Sequence, residues 1–145
     1  MGYEIEATRH IKVPPIGKNV LTERAFQNLI IGHLVEENGY VYRNTACYDP
    51  VRAMDPDVLF AFLECTQPEE MAKLHALYNG GSRETILAKI CNAIADRGLV
   101  NVIWNGVPFD AGIELSLVYP RPSAGFDHKA EALFDENVLS VMDEV

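Results

Sequence analysis

The hydrophobic pattern of this chain changes its period at Leu99. Between residues 22 and 97 the apolar side chains recur every three or four positions, as they do on one face of an α-helix. From residue 99 to residue 119 they recur every second position, as they do in a strand that buries one face. The sequence therefore predicts a mixed α+β fold, in which several N-terminal helices pack on a small, mostly antiparallel sheet.

The size and composition of the chain are those of a globular domain. Its 145 residues are 48% hydrophobic and 23% charged, which suffices for one hydrophobic core. No apolar run reaches the roughly 20 residues that a membrane-spanning helix needs, and early charges such as Glu4 and Arg9 are unlike a secretion signal. We expect a cytoplasmic protein whose cysteines, Cys47, Cys65 and Cys91, are reduced.

Four helices are predicted in the first part of the chain, each from an apolar stripe with a start or a stop signal. They cover residues 22–38, 55–65, 66–78 and 82–97. Asp55 is in position to cap the second helix, residues 66–69 (Thr-Gln-Pro-Glu) match a capping box before the third, and Ser82 can cap the fourth. A short strand at residues 40–43 and a loop at residues 44–54 separate the first two helices.

A hairpin is predicted after the fourth helix. Residues 99–104 and 113–119 have the alternation of strands, and the pair Asn105 and Gly106 is preferred in two-residue hairpin turns. A proline and a glycine at positions 108 and 112 would widen that turn or bulge the second strand.

The two ends of the chain have different expected structures. Residues 1–20 have no sustained period and are predicted to form an extended arm, so that residues 21–145 form the domain. Asp127 is in position to cap a short helix that runs through Phe134. Residues 138–145 are predicted to be a final strand with no partner in the chain.

The charge of the chain disfavours DNA binding by this domain alone. The formal net charge is −9, and residues 101–145 contain two basic residues against eight acidic ones. Binding to phosphate groups depends on clustered lysine and arginine residues that release counterions.

Several catalytic motifs are missing from the sequence. Gly17 and Lys18 are followed by asparagine and not by serine or threonine, so they do not form a P-loop, and no serine lies in a GxSxG elbow. The four histidines are not paired at metal-ligand spacing, and we interpret each as a surface or helix-face residue. One acid-x-lysine match, Asp127 and Lys129, is read as a capping aspartate beside a solvated lysine, since chance alone predicts about 0.7 such matches.

An ordered set of segments nevertheless looks familiar. It consists of residues 21–27, 38–40, 48–49, 54–55, 63–68, 97–98, 119–120 and 134–141. In order and spacing this set resembles the N-terminal region of the restriction (R) subunit of type I restriction-modification enzymes, over about residues 21 to 142.

The resemblance implies the N-terminal part of an endonuclease domain of the PD-(D/E)xK type, incomplete in residues 21–145 and catalytically inactive alone. In that family the metal-binding Asp and the Glu-x-Lys pair lie on later strands, and this chain contains no Glu-x-Lys. No cofactor is expected for the fragment itself. Mg²⁺ and ATP are expected for the full-length subunit, an ATP-dependent deoxyribonuclease, and its expected partners are DNA and the methyltransferase and specificity subunits.

The resemblance also suggests one catalytic residue, Glu23, because the first helix of this nuclease class often contributes an acid that helps to hold the metal or its water. A carboxylate in the first turn of a helix is equally explained by the helix dipole. The alternative function is a non-catalytic interaction module, without a membrane partner, that forms oligomers through the exposed edge of its final strand, where Val138 and Val141 lie.

Overall fold

The computed structural model describes residues 23–123 and 125–143, and the predicted arm at residues 1–20 lies outside them. The fold is a mixture of helices and strands, as expected. The helices are α1 (Glu23–Asn38), α2 (Pro56–Thr66), α3 (Pro68–Tyr78), α4 (Ser82–Arg97), α5 (Leu99–Asn105) and α6 (His128–Asp135). The strands are β1 (Val41–Tyr42), β2 (Val107–Pro108), β3 (Glu114–Leu115) and β4 (Ser140–Val141).

The described chain divides into two compact units. The larger unit comprises residues 59–137, and the smaller unit comprises residues 23–58 and 138–143. No helix within the two described stretches has both the length and the apolar character needed to cross a membrane. Cys47, Cys65 and Cys91 all lie within these stretches and form no disulfide.

The core of the larger unit is formed by α3, α4, α5 and the β2–β3 hairpin together with the end of α2. Its most deeply buried side chains are Leu63, Met71, Leu74, Ile86, Leu87, Ile90, Val102, Val107 and Leu115. Burial of a side chain of this size contributes about 1.5–3 kcal/mol relative to leaving it exposed. The helical stripes predicted for α3 and α4 are therefore confirmed as the core-facing sides of these helices.

The predicted capping box between α2 and α3 is wrong. The Thr66 hydroxyl donates a hydrogen bond to the Phe62 carbonyl (2.8 Å) inside α2, and Gln67 takes the N-cap position of α3 without capping it through its side chain. The Gln67 amide instead donates to the Ser116 carbonyl (2.9 Å) and accepts from the Ser116 backbone N–H (2.8 Å). Gln67 is buried, and pairing these backbone groups avoids leaving polar atoms without partners.

The predicted cap of α4 is also wrong. Gly81 occupies the N-cap position and Ser82 is the first helical residue. The Ser82 hydroxyl is hydrogen-bonded to the His75 side chain.

The predicted strand at residues 99–104 is a helix, α5. α4 ends at Arg97, the next residue, Gly98, has a φ of +83°, and α5 begins at Leu99. Packing then decides which side chains are covered: Val102 is fully buried, whereas Trp104 is 69% exposed. The apolar residues of this segment therefore do not alternate between a buried and an exposed face, as they would in a strand. The tertiary structure overrides the strand preference of its β-branched residues.

The hairpin forms later in the chain than predicted. Strands β2 and β3 pair antiparallel, with Val107 opposite Leu115, and a 3₁₀ turn at Asp110–Gly112 connects them. The wider turn expected from the proline and the glycine is therefore present. Gly106 ends α5 and is not part of a hairpin turn.

The smaller unit contains α1, β1, the loop that leads to α2, and β4. The bounds of α1 and the start of α2 at Asp55 agree with prediction, and the Asp55 side chain accepts hydrogen bonds from the N–H groups of Asp57 and Val58. Strand β4 pairs with β1 in parallel, with Tyr42 opposite Val141. The expectation of a final strand without a partner is therefore wrong, and the described strands form one parallel and one antiparallel pair and not a single sheet.

Candidate functional site

Glu23 is the first residue of α1, and its side chain is exposed. Its Oε1 atom accepts a hydrogen bond from Gln27 Nε2, one turn later, at 3.5 Å. The other polar atom of that amide, Gln27 Oε1, is buried and has no hydrogen-bond partner among the described residues. Such a buried oxygen is where a water molecule or a cation is expected. The amide nitrogen of Gln27 therefore faces the exposed Glu23 carboxylate, and the amide oxygen is a separate, unsatisfied acceptor.

A buried carboxylate fixes the start of α1 to both strands of the smaller unit. Arg24 Nη2 lies 2.9 Å from Asp143 Oδ2, and the Tyr42 hydroxyl donates to Asp143 Oδ1 at 2.6 Å. The Asp143 side chain is 8% exposed, so both partners are needed to offset the cost of removing its charge from water. Arg24 is thus part of the cluster that positions the first turn of α1.

A second buried ion pair links β1 to the start of α2. Arg43 Nε donates to Asp55 Oδ2 at 2.7 Å, and the two side chains are 7% and 6% exposed. The hydrogen bond to Asp55 is the main reason that the pKa of Arg43 lies above its ordinary value. Because Asp55 also caps α2, its carboxylate is committed to structure.

Asp49 holds the predicted loop between β1 and α2 in place. Its Oδ1 atom accepts from the N–H groups of Val51 (2.9 Å) and Arg52 (3.2 Å), and its Oδ2 atom accepts from Arg52 Nη1 at 2.6 Å. The hydrogen bond from the Arg52 side chain is the main cause of the lowered pKa of Asp49. This carboxylate therefore holds the turn and is not presented to a ligand.

The two residues of the acid-x-lysine match, Asp127 and Lys129, have different roles in the larger unit. Asp127 Oδ1 accepts a hydrogen bond from the Ala130 N–H at 3.0 Å and caps α6, as predicted. Lys129 lines an open cavity of about 440 Å³ together with Glu69, Glu70 and Glu114. Within residues 23–123 and 125–143, no three histidine, cysteine, aspartate or glutamate side chains are grouped so that they could hold a metal ion.

One group of hydrogen-bonded side chains is not predicted by the sequence. His75 lies between Ser82 and Glu64, with 2.6 Å from His75 Nδ1 to Ser82 Oγ and 2.6 Å from His75 Nε2 to Glu64 Oε1. The three residues follow no known motif, and they meet because α2, α3 and α4 are consecutive short helices joined by tight turns. A histidine in the last turn of one helix and a serine at the start of the next is the only signal that points to the pair.

Comparison of the chain with protein-family models, with curated proteins and with solved structures finds no match.

Proposed function

We propose that this chain is the N-terminal part of the endonuclease domain of a type I restriction R subunit, and that it scaffolds DNA cleavage which it does not perform alone. The proposal starts from the ordered set of segments that resembles that family. The observation that supports it in the structure is the exposed Glu23 carboxylate in the first turn of α1, one turn before the residue that carries the unsatisfied Gln27 Oε1.

The first turn of α1 is suited to contribute to a metal site. Mg²⁺ prefers carboxylate, carbonyl and water oxygens, and it is commonly held by only one or two protein carboxylates. Glu23 and Gln27 offer a carboxylate and an amide oxygen, while the ion pair of Arg24 with Asp143 holds their helix against the strands. A rigid support of this kind is what a functional site requires.

Glu23 and Gln27 do not by themselves complete a metal site. When bound beside DNA, Mg²⁺ would polarise the scissile phosphate and activate a water molecule. In the proposal the remaining acids and the lysine come from the later strands of the R subunit, and the basic surface that binds DNA comes from other regions, because this chain carries a net charge of −9. The role of this chain is then to position one acid.

The proposal is tested in an R subunit that carries these residues, assembled with its methyltransferase and specificity subunits. Glu23→Gln is expected to reduce DNA cleavage about 100-fold or more, in the range typical for loss of a group that acts directly in the reaction, while ATP hydrolysis is unchanged. Glu37→Gln, at the exposed far end of the same helix, is the matched control and is expected to cleave normally. Undiminished cleavage by the Glu23 variant would contradict the metal role.

The scaffold role is tested with the 145-residue chain itself. Supercoiled plasmid incubated with the chain and Mg²⁺ or Mn²⁺ is expected to remain uncut. Metal-dependent nicking that purifies with the chain would show that it is a complete nuclease.

The alternative is a non-catalytic interaction module that pairs through its final strand, of which one edge is occupied by β1. Oligomers through the second edge of that strand remain a prediction. Light scattering after size-exclusion chromatography tests it, and a monomer would contradict it.

A further inference from the structure

Three side chains of the larger unit form a continuous chain of hydrogen bonds that the proposed nuclease role does not use. Glu64 lies in α2, His75 in the last turn of α3, and Ser82 at the first position of α4. The imidazole ring lies between the other two, with 2.6 Å from Nδ1 to Ser82 Oγ and 2.6 Å from Nε2 to Glu64 Oε1. All three residues belong to residues 59–137 and are distinct from the Glu23 site.

The chemistry of these groups sets the direction of both hydrogen bonds. An ionised carboxylate can only accept, so in the singly protonated form of His75 that faces it the hydrogen lies on Nε2 and is donated to Glu64. The lone pair of Nδ1 then remains, and the Ser82 hydroxyl must donate to it. The two hydrogen bonds then run in the same direction as those between a nucleophile, a general base and a carboxylate that orients the base.

Capping does not explain where the Ser82 hydroxyl points. Gly81 occupies the N-cap position of α4, and its carbonyl accepts the hydrogen bond from the Thr85 N–H. Ser82 lies after the cap and makes its hydrogen bond to His75 instead. When His75 Nδ1 carries no hydrogen, the Ser82 hydroxyl donates to it.

The site is open to a small molecule. The side chains of His75 and Glu64 are 41% and 49% exposed, and Ser82 is half-buried. Ser82 also begins a helix of 16 residues, so negative charge that develops on an attacked carbonyl oxygen lies near the positive end of the helix dipole.

We propose that Ser82 is a nucleophile for acyl transfer from short, activated esters, with His75 as general base and Glu64 as the residue that positions the imidazole. The ester class follows from the exposure of the site. An open surface makes few contacts with the non-reacting parts of a substrate, so these parts contribute little binding energy. The rate of the reaction then depends on how reactive the ester itself is.

The reaction balances with water as the only co-reactant. Ser82 Oγ attacks the carbonyl carbon while its proton moves to His75 Nδ1, and the proton then goes to the departing alkoxide as the carbon–oxygen bond breaks. A water molecule attacks the acyl-serine in the same way and gives its proton to His75, which returns it to Ser82 as the carboxylic acid leaves. Glu64 remains ionised and holds the Nε2 hydrogen throughout.

The first experiment treats the unaltered 145-residue chain with a fluorophosphonate probe, and peptide mass spectrometry locates the modified residue. Modification of Ser82 in preference to the other serines is expected. No modification, or modification of the serines without preference, would overturn the proposal. Because this measurement needs no variant, it decides the question even where a substitution prevents folding.

The second experiment measures hydrolysis of p-nitrophenyl acetate. Ser82→Ala and His75→Asn are each expected to reduce the rate at least tenfold. Glu64→Gln is expected to lower kcat with little change in KM, as a positioning residue should. Ser123→Ala and His128→Asn alter an exposed serine and an exposed histidine of the same unit and serve as matched controls.

Variants are compared only where circular dichroism shows wild-type helix content. An unchanged rate in Ser82→Ala would overturn the proposal, and so would an equal loss in His128→Asn and His75→Asn, since free imidazole groups also hydrolyse this ester. Failure here leaves the nuclease proposal intact, because neither Ser82 nor His75 takes part in it.

Discussion

At the residue scale, Gly106 and Gly112 are glycines for different structural reasons. Both have positive φ, +72° and +73°, and the ψ of −173° at Gly106 places it in a region that essentially only glycine adopts. At Gly106 an added Cβ atom would also lie 2.7 Å from the Leu115 carbonyl oxygen, whereas at Gly112 it would meet nothing within 4 Å. Gly106 is thus required by the close approach of α5 to β3 as well as by its backbone angle.

This difference yields a prediction with a built-in control. Gly106→Ala is expected to lower the free energy of unfolding by about 1–3 kcal/mol more than Gly112→Ala does, because only the first forces a side chain into backbone. Chemical denaturation of the two variants measures both values. Equal losses would show that the close approach to the Leu115 carbonyl adds no cost at position 106.

At the element scale, side chains of α3 and α4 hold the turn of the hairpin. The Tyr78 hydroxyl donates to Asp110 Oδ2 at 2.8 Å, and Lys89 Nζ lies 3.2 Å from the same oxygen. The hydrogen bond from Tyr78 is the first cause of the lowered pKa of Asp110, and the contacts with Lys89 come next. The pKa of Tyr78 is raised, chiefly by burial and then by its bond to Asp110.

The lowered pKa predicts how stability changes in acid. The folded state favours the carboxylate of Asp110, so its contribution is present above the ordinary pKa of 3.8 and is lost as the pH falls through the lower folded value. In Tyr78→Phe the pKa of Asp110 is expected to rise toward 3.8, which NMR titration of that carboxyl group measures directly. The loss of stability between about pH 5 and pH 2 should shrink accordingly.

Tyr40→Phe, which removes a hydroxyl group from the smaller unit, is the matched control for this prediction. It should leave the titration of Asp110 unchanged. If the pKa of Asp110 were the same in Tyr78→Phe as in the wild-type chain, Lys89 would have to be its main cause.

At the scale of the whole chain, the smaller unit is closed by contacts between residues about 100 positions apart. The Val41 N–H donates to the Leu139 carbonyl at 2.9 Å, and Tyr42 and Asp143 are 101 positions apart in sequence. Closing a long loop costs conformational entropy before its contacts form. The buried Asp143 carboxylate, which engages both Arg24 and Tyr42, is therefore expected to be important to this closure.

A double-mutant cycle measures how strongly this contact couples the two segments. Asp143→Ala is expected to lower the free energy of unfolding by about 1–3 kcal/mol, because the Tyr42 hydroxyl loses a buried, charged acceptor. Combined with Tyr42→Phe, the cycle should give a coupling energy of about 0.5–3 kcal/mol. Asp135→Ala, at an exposed position of α6, is expected to change stability by less than about 0.5 kcal/mol. Strictly additive losses from the two substitutions would contradict the coupling.

The elements that could be predicted are those whose signals lie within a few residues of each other. The bounds of α1, the start of α2 at Asp55 and the capping of α6 by Asp127 all follow from side-chain and backbone groups two to four positions apart. The apolar stripes of α3 and α4 were predicted for the same reason. Glu23 could be named only through a resemblance, and its role stays a prediction.

Tertiary structure decided everything that depends on distant partners. The Gln67 side chain hydrogen-bonds to Ser116 and does not cap its own helix. Residues 99–105 form a helix because packing outweighs their strand preference. Strand β4 pairs with β1. The constellation of Glu64, His75 and Ser82 has no spacing that a motif could recognise. Local sequence by itself determined where most helices begin and which faces are apolar, because capping and periodicity act over one or two turns. Which polar groups meet was left to the tertiary fold, since a hydrogen bond between distant residues depends on where the whole backbone places them.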